Sequence, residues 1–272
     1  MQASDSATHS VPVAELYDSA EGQLGPILFG GHLHWGFWDA DNADDDFAGG
    51  SEKLAQLMIN KTTIGQDEHF CDLGCGVGLP AIKLAQVKHC YVDGVTISGY
   101  QQHNATERAA AAGLQERVNF IHASALSIPK PDLSYDGGWF FESIFHMGHK
   151  AALKEAARVL KPGATLLLTD LPLLPTATDD FKQFVKQHIH SEFVTQTDYP
   201  TLFAEAGFAL VECWDITENV MKPLVGKFKQ ALEQHKDAVA ACADDKAVDN
   251  WVYLFEYMSE NLGYVLITAR KL

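Results

Sequence analysis

His69-Phe70-Cys71-Asp72-Leu73-Gly74-Cys75-Gly76-Val77-Gly78-Leu79-Pro80 is the stretch on which the fold turns. Its first five residues read as a short apolar strand. Its end opens a helix in which Pro80 is tolerated in the first turn. Between them, three glycines let the backbone turn sharply and come close to a ligand. Two nucleotide readings compete. A dinucleotide fingerprint is G-x-G-x-x-G, because a pyrophosphate must reach the helix N-terminus. Here the third glycine comes one place early, and Asp72 stands two positions before the first. A carboxylate at that mouth opposes a pyrophosphate and suits a ligand carrying an ammonium and a sulfonium. A nicotinamide dehydrogenase is the rival nucleotide-binding reading; a glycine turn with no ligand is the plain one.

Outward from this turn, strands and helices alternate. Strands are predicted at Cys90–Ile97, Val118–His122, Asp136–Phe140 and Ala164–Thr169, with helices at Gly99–Ala112 and Lys150–Leu160. That order implies a parallel sheet covered on both faces. Leu171 to Thr201 is long for a connection, and Phe181, Phe184, Val185 and His188 fall at helical spacing. Phe208–Trp214 and Tyr264–Ala269 read as further strands, and Pro223–Glu260 as largely helical. The expected fold is α/β: a Rossmann-like parallel sheet with a reversed last strand. Helical segments after the fifth strand lie by the carboxyl edge, where such sheets bind ligands, as a lid. On the N-terminal side, Val13–Phe29 has loose helical spacing and leads into F-G-G-H-L-H-W-G-F-W (Phe29–Trp38). The acidic stretch Asp39–Asp46, with Gly49 and Gly50, reads as an exposed loop. Ser51 is the expected cap of a helix running to about Lys61.

Composition narrows the partners. Hydrophobic residues make up 47% of the 272 and charged residues 21%, enough apolar material to exclude disorder for most of the chain. A net charge of −16 repels phosphate backbones and anionic lipid, disfavouring nucleic acid and membrane-surface partners. No apolar run reaches the ~18–20 residues of a membrane helix. Met1–Ser10 lacks the basic-then-apolar pattern of a secretory signal. Five cysteines without a C-x-x-C pair argue against a disulfide framework or zinc ribbon and for a reduced, cytoplasmic protein.

Four motifs in order resemble the class I S-adenosylmethionine methyltransferases: H-F-C-D-L-G-C-G-V-G-L-P, G-V-T-I-S-G-Y-Q-Q (Gly94–Gln102), F-F-E-S-I-F-H-M (Phe140–Met147) and A-R-V-L-K-P-G-A-T-L-L-L-T-D (Ala157–Asp170). The resemblance runs from about Val13 to the C-terminus. It is greatest to a small-molecule group that includes sugar O-methyltransferases, tocopherol and sterol C-methyltransferases, phosphoethanolamine N-methyltransferases and cyclopropane fatty acid synthases. It implies an N-terminal helical cap over residues 1–50 and a donor-binding methyltransferase domain over 51–272, with lid insertions at about 171–201 and 222–260. It further implies S-adenosylmethionine as cofactor, with Asp72, Gly74 and Gly76 at its amino-acid part. Most of the superfamily grips the ribose with a carboxylate after the second strand. This chain has Thr96 there, then Ile97 and Gln101, an arrangement similar to the cyclopropane synthase branch. Ser124 and Ala125 fall on the adenine side, with serine where aspartate is common. The plain alternative for Thr96 and Ser124 is polar surface.

Methyl transfer from a sulfonium is an in-line displacement, so the protein mainly aligns nucleophile and donor and strips away water. A hydroxyl acceptor gains from a general base. His146, after the fourth strand, is the candidate; a buried histidine packing the lid is the alternative. In the phosphoethanolamine-type enzymes such a histidine pairs with an N-terminal tyrosine, which Tyr17 resembles; it counts among both the catalytic and the cofactor-binding candidates. Asp170 resembles the aspartate that shares the work in sugar O-methyltransferases, or else caps a helix or pairs with the lid. Glu142 resembles the glutamate that stabilises a carbocation in prenyl C-methyltransferases. The rings of Phe29, Trp35, Phe37 and Trp38 either flank the ligands or pack the N-terminal segment onto the sheet. His32-x-His34, His146-x-x-His149 and His188-x-His190 have no carboxylate or cysteine to complete a site, so no metal is expected. The expected function is methyl transfer to a small, partly apolar metabolite, at oxygen. C-methylation of a prenyl or aromatic acceptor, or retention of the donor while another reaction such as a cyclisation is steered, are the alternatives. Oligomeric state is left open.

Overall fold

The computed structural model describes residues 13–15, 18–19 and 24–272. After a short helix α1 (Leu24–Leu28), the aromatic strap 29–38 leads to α2 (Phe47–Lys61). The alternating part then runs β1 (His69–Leu73), α3 (Leu79–Lys88), β2 (Tyr91–Thr96), α4 (Gly99–Ala111), β3 (Val118–His122), β4 (Tyr135–Phe141), α5 (His149–Val159) and β5 (Leu160–Asp170). Beyond it come α6 (Asp179–His188), α7 (Tyr199–Glu205), β6 (Phe208–Asp215), α8 (Thr217–Gln234), α9 (Lys236–Cys242), α10 (Asp245–Asn261) and β7 (Val265–Lys271).

The seven strands lie in the order β3-β2-β1-β4-β5-β7-β6. Pairs among β1–β5 are parallel, and β7 runs antiparallel to both neighbours. The reversed strand is therefore last in sequence but lies inside the sheet, between β5 and β6. Period-two alternation explains why these strands read as unbroken apolar runs. Trp139, Phe141 and Leu167 belong to one hydrophobic cluster, while Phe140, Leu166 and Leu168 belong to another. The sheet order reverses direction between β1 and β4, and their carboxyl ends meet the cleft expected at such a switch point.

Three boundaries differ from the sequence expectation. Helix α2 begins at Phe47, and its cap is Asp46, not Ser51: the Asp46 carboxylate accepts the Gly49 N–H at 2.9 Å. Ser51 is buried inside the helix and donates to the His34 carbonyl at 3.3 Å. Gly49 and Gly50 are helical, not loop. A Cβ on Gly50 would fall 2.3 Å from the Trp38 ring, so glycine is required by packing rather than by turning. Helix α8 starts six residues before Pro223 and contains it. Proline withholds the N–H that would have reached the Asn219 carbonyl. Trp38 N–H donates to that carbonyl at 2.9 Å, and the Asn219 amide returns a 2.9 Å bond to the Trp38 carbonyl. Among the described residues, no helix is long and apolar enough to cross a membrane.

Candidate active site

The glycine turn is tied down by its neighbour strand, since Gly74 and Cys75 N–H groups both donate to the Val95 carbonyl at 2.9 and 3.0 Å. Gly74 holds φ +92, and a Cβ there would sit 2.5 Å from the Ser143 Cβ. Gly78 caps α3 in the left-handed conformation at φ +80, with the Phe120 ring 2.4 Å from where a Cβ would be. Both positions need glycine for conformation and for space. The turn opens onto a cleft of about 1330 Å³ that includes its open mouth.

Asp72 lines the cleft and is 1% exposed, yet neither carboxylate oxygen has a hydrogen-bond partner among the described residues. Desolvation pushes its pKa up to about 7, against a weak opposing pull from Trp139. Trp139 is its register partner on β4, but its indole N–H also lies outside hydrogen-bond geometry. A buried, unpaired carboxylate is costly unless a cation completes it. It fits the ammonium of S-adenosylmethionine.

The carboxyl end of β2 supplies neutral hydrogen-bonding groups. Thr96 Oγ1 donates to Gln101 Oε1 at 2.8 Å, and Ser98 Oγ accepts the Gln101 N–H at 2.9 Å. Ser98 also donates to Asp18. Thr96, Ile97, Gln101, Ser124 and Ala125 all reach the cleft, so the structure brings together every described residue expected at the cofactor. Tyr17 lies outside the described residues.

Of the catalytic candidates, His146 and Glu142 reach the cleft and Asp170 does not. His146 Nδ1 is 3.0 Å from Ser191 Oγ, whose own proton goes to the Ile189 carbonyl. Burial lowers the His146 pKa to about 4, so the imidazole is neutral at physiological pH. Glu142 adopts φ +49, uncommon for a non-glycine residue. Its N–H donates to Thr169 Oγ1 at 3.0 Å. Its Oε1 accepts the Trp35 N–H at 2.9 Å and the Tyr264 hydroxyl. Burial raises its pKa to about 8 despite these bonds, so the carboxyl is mostly protonated at neutral pH. Asp170 is turned into the protein. It accepts from His149 Nε2 at 2.6 Å, the Tyr199 hydroxyl at 2.8 Å and the Leu171 N–H at 2.8 Å. It joins β5 to α5 and α7, in keeping with its plainer alternative of a pairing toward the lid.

The aromatic strap follows the packing alternative too. Phe29 stacks on Phe47 at 4.1 Å, Trp38 meets Phe47 edge-on, and Trp35 leans on Phe255 and Tyr264. Phe29, Trp35, Phe37 and Trp38 are all buried, and none lines the cleft. The strap's contributions are instead Leu33 and His34. From the lid side, His190 and the Lys186–Glu192 ion pair (2.8 Å) complete the wall. No motif marks Leu33, Lys186 or Glu192 in the sequence, and the spacings His32-x-His34 and His188-x-His190 suggest only metal.

A family described as "Methyltransferase domain" matches residues 71–168. The (+)-O-methylkolavelool synthase of Herpetosiphon aurantiacus is 34% identical, covering 96% of this chain and 94% of that protein. The 27-O-demethylrifamycin SV methyltransferase of Amycolatopsis mediterranei is 31% identical over 90% of this chain and 91% of its own length. Among solved structures, the cyclase SpnF superposes with a TM-score of 0.82 at 26% identity, covering 96% of each chain. With relatives of this identity along almost its whole length, the chain belongs to the class I S-adenosylmethionine-dependent small-molecule methyltransferases.

Proposed function

We propose that the protein methylates a hydroxyl oxygen of a small, largely apolar metabolite, with His146 accepting the proton. Bound S-adenosylmethionine supplies the electrophilic methyl group. Asp72 holds the methionyl ammonium, Thr96 and Gln101 hydrogen-bond the ribose, and Ile97, Ser124 and Ala125 flank the adenine. Phe141, Phe145 and Met147 give the remaining wall its apolar character. Helix α6, the segment after it and the strap act as the lid that excludes water.

The observation that carries this reading is a neutral imidazole on the wall of the same cleft that Asp72, Thr96 and Gln101 line. A pKa of about 4 leaves His146 in its base form at physiological pH but makes it a weak base. That suffices, because a hydroxyl oxygen becomes strongly acidic as it gains the methyl group, and the proton leaves late. Glu142 supports oxygen over carbon. A carbocation needs an anionic partner, whereas this carboxyl is mostly protonated near pH 7. As a neutral acid it can donate to an acceptor oxygen while Trp35 and Tyr264 hold Oε1. The relatives named for O-methylkolavelool and 27-O-demethylrifamycin SV point to hydroxylated natural products as acceptors. The free cysteines support a cytoplasmic setting.

The test is incubation with tritium-labelled methyl donor and a panel of hydroxylated terpenoids and polyketides, with mass-spectrometric detection of methyl ethers. Donor that binds but is never consumed would favour the steering role suggested by the likeness to SpnF. A product methylated at carbon would overturn the oxygen reading.

A further inference from the structure

Helix α6 ends in a turn that carries Ser191 onto His146. Ile189 is the C-cap residue of α6, so its carbonyl is one of those that no intrahelical N–H reaches. His190 takes φ +50, the left-handed turn at which helices commonly stop and which histidine tolerates better than most side chains. The chain thereby folds back over the helix end, and the Ser191 N–H donates to the Val185 carbonyl at 3.4 Å. Ser191 is 1% exposed, and its hydroxyl oxygen lies 3.0 Å from the Ile189 carbonyl and 3.0 Å from His146 Nδ1. A hydroxyl has one proton, and the carbonyl can only accept. Both contacts are hydrogen bonds in one arrangement alone: Nδ1–H donates to Ser191 Oγ, whose own proton goes to the carbonyl. In a neutral imidazole the lone pair then belongs to Nε2.

The same segment holds the backbone beside this imidazole. The Glu192 N–H donates to the Phe145 carbonyl at 3.0 Å, and the Phe193 and Phe145 rings lie 5.3 Å apart. Phe145, His146 and Glu192 all line the cleft. The lid segment therefore seats on the cleft wall at His146 and, through the same contact, decides which ring nitrogen bears the proton. As the acceptor oxygen bonds to the methyl carbon and the carbon–sulfur bond breaks, the hydroxyl proton passes to the lone pair on Nε2. The resulting imidazolium keeps its Nδ1–H on Ser191, so the ring need not turn during transfer.

We propose that Ser191 is a positioning residue for methyl transfer, its Oγ accepting from His146 Nδ1 and so fixing the tautomer in which Nε2 is the basic nitrogen. This rests on His146 acting as the base, as proposed above. The test reads the tautomer directly, from nitrogen-15 correlation spectra of the ligand-free protein, with His146→Asn assigning the ring resonances. The parent is expected to carry the proton on Nδ1. Ser191→Ala is expected to shift population towards the Nε2–H form. It is also expected to lower kcat about ten-fold, with the acceptor KM within about two-fold, measured as tritiated methyl transfer from S-adenosylmethionine to a hydroxylated terpenoid or polyketide. Ser191→Thr, which keeps the hydroxyl, is expected to restore both tautomer and kcat. Should the alanine variant fail to fold, Ser191→Cys, a weaker acceptor, takes its place with the same expectations. A parent with its proton on Nε2 would overturn the assignment, as would equal kcat losses in the alanine and threonine variants. So would an unchanged tautomer in the alanine variant, which would give the role to the His190 backbone that also hydrogen-bonds the ring. Failure of the base itself shows separately, as His146→Asn retaining the parent's kcat.

Discussion

Replacing Asp72 by Asn separates what this residue costs the fold from what it gives the ligand. Burial moves its pKa from 3.8 to about 7, roughly three pH units. At about 1.4 kcal/mol per unit, ionised Asp72 destabilises the ligand-free protein by about 4 kcal/mol. Solvent screening does not reduce this, because the side chain is 1% exposed. An amide in the same place leaves its own polar atoms unpaired, at about 1–3 kcal/mol. The Asn variant is therefore expected to be more stable than the parent by about 1–3 kcal/mol at pH 8. The raised folded-state pKa fixes the sign. The parent keeps the full contribution below the unfolded pKa near 3.8 and loses it as pH rises to about 7. Between pH 5 and pH 7 the gap should thus widen by about 2 kcal/mol. The ligand ledger runs the other way, since losing hydrogen bonds to a charged group costs about 1.5–3 kcal/mol, or roughly 10- to 150-fold in S-adenosylhomocysteine affinity. Urea unfolding at pH 5, 7 and 8 and calorimetry at pH 8 read the two effects. A variant less stable than the parent at pH 8, or one binding the ligand as tightly, would refute the reasoning.

His146→Asn is expected to lower kcat by about 100-fold or more. In the parent, kcat/KM for the acceptor at saturating donor should hold until the pH nears about 4, whereas kcat/KM for the donor should already fall below about pH 7 as Asp72 takes up a proton. A single break near 6.5 in both profiles would contradict this. Asp170→Asn is expected to lower stability by about 2 kcal/mol or more, because it disturbs three buried hydrogen bonds; S-adenosylhomocysteine affinity, measured by calorimetry, should stay within about two-fold. Gly50→Ala drives a methyl into the Trp38 ring. It is expected to lower the urea midpoint by the equivalent of about 1–2 kcal/mol, overpacking outweighing the helix propensity gain.

The sheet was legible because its information is local. Apolar runs bounded by glycine turns and alanine-rich helices mark β1 to β5 directly, and the glycine turn with Asp72 marks the ligand edge. Where packing rather than local preference decides, the reading failed. Gly49-Gly50 reads as a loop until the Trp38 ring is placed against it, and the helix in fact starts at Phe47, capped by Asp46. Pro223 reads as a helix start until a partner from elsewhere takes the orphaned carbonyl. Asp170 ends a strand at the correct edge, yet which way its carboxylate turns depends on His149 and Tyr199, the latter 29 residues downstream.

Pro223 does more than interrupt α8. With its missing N–H answered by Trp38, the helix is stitched to the segment that carries Leu33 and His34, and the two bonds through Asn219 run in opposite directions. Tilting α8 therefore pulls on the strap whose Leu33 and His34 line the cleft. Any reshaping of this bundle is therefore transmitted to the cleft wall, through Trp38 and through the Lys227 ammonium that binds the Ala43 and Asp45 carbonyls.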